Sequence, residues 1–135
     1  MDYVYKISVT IGGAASSYLF GGWGQAMAIL LFFVVMDYIT GLIAAWFGTG
    51  LDSKKGLKGI ARKFLIFSVV ALAHQIDLFV GNEVNMLMNA AIAFYAANEL
   101  LSITENIGRA GLPLPDALLN AIAVLKGRSG ADEHK

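Results

Sequence analysis

From Gln25 to Phe47 an apolar run is interrupted only by Asp37 and Thr40. Crossing a bilayer as a helix takes about 20 mostly apolar residues, and this run supplies them. In hydrocarbon every backbone N–H and C=O must be satisfied within the segment, so a helix is the form such a run takes. The rest of the chain agrees. It is 57% hydrophobic and only 15% charged, where soluble domains carry about a quarter charged residues. A soluble fold of 135 residues has too little interior to hide that much apolar surface. Residues 64–80 make a second run, short but adequate with slight bilayer thinning. Residues 84–104 make a third, rich in alanine and polar in places. Residues 5–23 are diluted by Ser, Thr and Gly, and either span or lie in the interface. The expected fold class is an all-α integral membrane protein of three to four transmembrane helices, with four favoured.

The basic residues orient these segments, because cytoplasmic loops carry the excess of Lys and Arg. Lys54, Lys55, Lys58, Arg62 and Lys63 fall between the second and third segments, which predicts a cytoplasmic basic loop there. With four spans, Lys6 and the tail residues Arg109, Lys126, Arg128 and Lys135 lie on the same side. All 10 basic residues then share one face, while the turns at 21–24 and 81–83 hold none. This favours both termini inside. A three-span arrangement, with the first segment flat on the outer face, strands Lys6 outside and comes second. The basic loop's first role is topogenic. Anionic lipid headgroups are its nearer partner, rather than nucleic acid.

Little else in the sequence supports chemistry. There are no cysteines, hence no disulfide, thiolate metal site or cysteine nucleophile. Two histidines, His74 and His134, are too few for most histidine-based metal sites. Neither a catalytic set nor a cofactor site is expected. A cleavable signal peptide is not expected either, since Gly12 and Gly13 break the leading apolar stretch. In the tail, Pro113 and Pro115 enforce an extended link. Asp116 then caps a short helix over 117–126, with Leu118, Leu119, Ile122 and Leu125 at helical spacing. Residues 1–127 read as one membrane domain, and residues 128–135 as a polar, mobile tail.

Several residues need a reason to be where they are. Asp37 lies near the middle of the second segment, where a carboxylate costs roughly 2.5–3.5 kcal/mol on insertion scales. It must face a protein neighbour or water, or be protonated, and serves either pore and assembly or packing alone. Gly41, Ala44, Ala45 and Gly48 continue that helix as small residues that let helices approach, as do Gly13, Ser17 and Gly21 in the first segment. Both rows favour packing within the chain over self-assembly. His74 and Asp77 are three apart on one helical face near the outer end of the third segment. They read first as a capping and interface pair, and second as a proton-sensitive one. Asn98, Glu99, Ser102, Glu105 and Asn106 cluster at the inner end of the last segment. Asn98, Ser102 and Glu105 share a face there and Glu99 points elsewhere, a pattern that suits polar helix contact better than acid–base chemistry.

Taken together, DYITGLIAAWFGTGLDSKKGLKGIARK, AHQIDLFVG and AFYAANELLSITENIGRAGLPLPDALLNAI closely resemble the phage-lysis and toxin-secretion holins. The likeness runs from about Gly21 to Leu125, several motifs in the same order, and is weakest over the first segment. It implies a small protein of the bacterial cytoplasmic membrane that accumulates as a homo-oligomer. Such proteins abruptly form lesions that collapse the membrane potential and give an endolysin access to peptidoglycan; in some members the step helps release a large toxin. Carried onto this chain, the motifs mark Asp37, Tyr38 and Gly41, then Ser53, Lys54, Gly56 and Gly59. Beyond these lie the asparagine–glutamate cluster at 98–106, and Gly111, Pro113 and Pro115. Two other readings stay open: a small channel or transporter subunit, and a membrane scaffold or antiholin that makes no hole.

Overall fold

The computed structural model describes residues 1–131, and among them all regular structure is helical. Helix α1 is Asp2–Phe20, α2 Gln25–Phe47, α3 Ser53–Phe79, α4 Met86–Arg109 and α5 Asp116–Ala131. Helix α2 has the bounds that its hydropathy predicts. By length and composition α2 and α4 can each cross a membrane, whereas α1 and α3 do not reach that composition. The all-helical class holds.

The helical part of the chain exceeds the expected spans in two places. The segment carrying Lys54 to Lys63 is not a loop but the first part of α3, whose 27 residues extend about 40 Å. The Asp52 side chain nucleates it by accepting hydrogen bonds from the Lys54 and Lys55 amides, at 2.9 and 3.4 Å. Lys, Arg, Ala and Leu then propagate it. Hydropathy ends the segment at its charges; backbone hydrogen bonding does not. The tail helix likewise continues past Gly127 to Ala131, so the polar tail expected over 128–135 begins as helix, and residues 132–135 lie outside those described.

The hydrophobic centre joins three helices. Met27, Leu30 and Val34 of α2 meet Ile66, Val70 and Ala73 of α3 and Met88 and Ile92 of α4, flanked by Phe20, Phe67 and Tyr95. Helix α1 packs only on α3 and has no buried residue. Its end is held by an edge-on contact of Phe20 with Phe67, and by Gln75 donating to the Tyr18 carbonyl at 2.8 Å. Of its row Gly13, Ser17 and Gly21, Gly13 has nothing near it and Ser17 is exposed, and Gly21 alone of the three packs within the chain, against His74 of α3. Helix α5 packs on α4, with Ile122 buried. Outward, Ile29, Phe32, Ile43, Trp46, Phe64, Leu72 and Phe79 are exposed along α2 and α3. That surface is far more apolar than water tolerates, and suits lipid.

Candidate functional site

Lys63 sits where α2, α3 and α4 converge. Its Nζ donates to Asp37 Oδ2 at 2.5 Å and to Glu99 Oε2 at 2.7 Å. All three side chains are largely buried, at 10–16% exposure. Asn106, one turn beyond Ser102, completes the knot. Its Nδ2 reaches Asp37 Oδ1 at 2.9 Å, the Asp37 carbonyl at 3.1 Å and Thr40 Oγ1 at 3.1 Å. Arg109 in turn donates to Asn106 Oδ1. Asp37 thus meets a protein neighbour, and that neighbour is a cation. A charge deep in a bundle persists only when paired and hydrogen-bonded.

Lys63 therefore belongs to the polar core, not to a solvated basic loop. The inward stripe on α4 is Glu99, Ile103 and Asn106, all buried, while Asn98 and Glu105 are exposed. The face grouping Asn98, Ser102 and Glu105 is thus not the packed one. Both sets recur at helical spacing, and the lysine on the neighbouring helix decides between them.

The small residues of α2 and α3 fit this knot together. A side chain at Gly41 would meet Asn106 Nδ2 at 3.5 Å, so Gly41 makes room for α4. Gly56 and Gly59 on α3 lie against Tyr38, their missing Cβ positions 3.4 Å from its hydroxyl and 3.7 Å from its ring. Ala44 is buried and Ala45 half-buried, while exposed Gly48 ends α2. Gly41, Ala44, Gly56 and Gly59 thus pack within the chain, and Gly48 does not. Between the helices a cleft of about 650 Å³ opens toward the Gly48–Asp52 turn. Its walls include Asp37, Lys63 and Glu99, with Arg62 beside Lys63, and Lys55 and Arg109 toward the helix ends.

A second polar knot closes the opposite end. Asp77 is fully buried and accepts from the backbone amides of Leu87 and Met88 at 3.1 and 2.9 Å. It caps the start of α4 from another helix, satisfying donors that α4 cannot. Asn85 precedes α4 in the left-handed region, at φ 52, and so cannot cap it itself; its Oδ1 pairs with His74 Nδ1 at 2.9 Å. Gly21, at φ 71, ends α1 against the His74 ring, with room for no side chain. His74 and Asp77 thus each hold a different partner, as a capping and interface pair. Among the described residues no group of three His, Asp or Glu is placed to hold a metal ion.

The comparisons with known proteins point one way. A sequence model of the bacteriophage holin family matches residues 14–127. An uncharacterized protein of Listeria monocytogenes is 44% identical over 135 residues, covering 100% of this chain and 96% of its own length. One from Halalkalibacterium halodurans is 49% identical over 131 residues, covering 94% and 97%. A protein of Bacillus phage phi105 named a probable holin is 37% identical over 112 residues, covering 83% of this chain and 82% of its own. No solved structure matches. With that match across nearly all of its length, the chain belongs to the bacteriophage holin family.

Proposed function

We propose that the chain is a working holin: it gathers as a homo-oligomer in the bacterial cytoplasmic membrane and opens lesions that depolarise it and let an endolysin through. The observation that carries this is the family match over residues 14–127, which takes in the polar knot, the cleft and the basic start of α3. The apolar exterior of α2 and α3 supports a bilayer setting. We place four helices across the membrane, α1 to α4, with both termini inside and residues 1–127 as one membrane domain. This arrangement puts the Lys and Arg residues of the sequence on one side, with Lys63 drawn inward to Asp37 and Glu99. The role is non-enzymatic; partners are the lipid bilayer, further copies of the chain, an endolysin and, in regulation, an antiholin. Release of a toxin by the same lesion belongs to this reading as well.

The test pairs the chain with a cytoplasmic endolysin that has no export signal. Cells making both should lyse abruptly, and cells making either alone should keep their contents or, with the chain alone, stop growing without lysis. Continued growth of cells making both would reject the lesion and leave the scaffold reading.

A further inference from the structure

The cleft beside Lys63 has charges that the knot does not use. Asp37 and Glu99 are engaged by Lys63 and, for Asp37, by Asn106 as well. One carboxylate oxygen of Asp52 is engaged by the first amides of α3. Lys55 and Arg62 line the same cleft and pair with no carboxylate among the described residues. Arg109 lines it too, and its one bond to Asn106 leaves further guanidinium donors unused. Lys55 and Arg109 thus stand near the Gly48–Asp52 turn, and Arg62, next to Lys63 in α3, stands deeper along the same cleft.

A second hollow continues from the first. Val34, Val35, Ile39, Ile60, Phe64 and Phe67 form an almost wholly apolar groove of about 340 Å³, and Tyr38 and Lys63 line both hollows. Ile39, Ile60 and Phe64 are exposed, so the groove opens sideways off the bundle. Along α2, Ala45 in the cleft and Val35 in the groove are about 15 Å apart. Lys55 and Arg109 are therefore at the helix ends, Arg62 reaches the cleft from the level where the groove begins, between Ile60 and Phe64, and the groove runs on toward mid-bilayer. That is the polarity of a phospholipid in the leaflet on the Gly48–Asp52 side.

We infer that this cleft and groove form a binding site for one phospholipid of net negative charge, its phosphate held among Lys55, Arg62 and Arg109 and an acyl chain along Ile60, Phe64 and Phe67. Charge complementarity selects an anionic headgroup, and the adjoining groove selects a lipid over a soluble phosphate ester. The inference rests on the bilayer setting proposed above but not on lesion formation, and its test reads lipid binding without reference to lysis.

The full chain, purified in a mild uncharged detergent, is titrated with phosphatidylglycerol, phosphatidylcholine and glycerol phosphate, and bound lipid is counted by native mass spectrometry. Phosphatidylglycerol should bind one per chain, and phosphatidylcholine and glycerol phosphate should bind far more weakly. Each of Arg62→Gln and Arg109→Gln should weaken phosphatidylglycerol about five-fold, and the pair roughly twenty-five-fold. Lys58→Gln, which removes a charge outside the cleft, should cost much less. If the paired variant unfolds, Lys55→Gln gives the same five-fold reading on an exposed side chain. Equal binding of phosphatidylcholine, equal competition by glycerol phosphate, or equal loss in Lys58→Gln would each overturn the site.

Discussion

At the scale of single residues, Lys63 has the largest consequence. It satisfies two carboxylates on two helices, and removing it leaves both facing one another with no cation. Lys63→Met should lower stability in detergent by about 3–5 kcal/mol, the usual loss when one partner of a buried ion pair is deleted. Adding Asp37→Asn and Glu99→Gln to Lys63→Met should recover much of that, because amides leave no unpaired charge. Thermal unfolding followed by circular dichroism measures both; a triple variant no more stable than Lys63→Met would show that the knot is not an electrostatic unit. Asp77 is the parallel case at the other end. Asp77→Ala strands the Leu87 and Met88 amides and should cost about 1–3 kcal/mol. Hydrogen exchange at the start of α4 reports it: protection there should fall first, and unchanged protection would deny the cap.

At the scale of elements, the sequence made some of this legible and hid the rest for definable reasons. Helix α2 is readable because its only charge is Asp37, so apolar length and helix length coincide. Helix α3 is not, because its first part buries two glycines and a lysine while turning Lys54 and Lys58 outward. Only a partner helix makes that worthwhile, and the partner, with Tyr38 and Asp37, lies earlier in the chain. Asp37 itself announced the need for a neighbour, though not which one. A topogenic role alone is enough to explain Lys63 in the sequence, so nothing there singles it out as the partner. His74 and Asp77 were recognisable as an interface pair, but Asn85 was not, since its importance depends on a left-handed turn. If the basic segment is helix, Lys58→Pro should destabilise the chain by about 3 kcal/mol. In a loop the same change would be nearly silent, so an unaltered unfolding midpoint would restore the loop.

At the scale of the whole molecule, three helices share a core while α1 is attached at one end only. In the proposed topology of four spans with both termini inside, the Lys63 knot lies toward the cytoplasmic half and the Asp77 cap at the outer end. Reporter fusions after Lys6, Gly50 and Gly127 should read cytoplasmic, and one after Asn82 external. An external signal after Lys6 with the others unchanged would lay α1 on the outer face. In the proposed homo-oligomer, copies meet through surfaces that the single chain leaves exposed, rather than through Gly41, which already faces Asn106. Accordingly Gly41→Leu should disturb the folded chain itself, not merely the contact between copies.

A chain that opens the cytoplasmic membrane, as proposed, must discharge it, and membrane potential is the quantity that reports this. Induced expression in a bacterium lacking any endolysin partner, with a potential-sensitive dye and growth followed together, tests it directly. Growth should stay normal and potential full during accumulation, and potential should then collapse suddenly within single cells as growth ends. Sustained potential at high levels of inserted protein would contradict it.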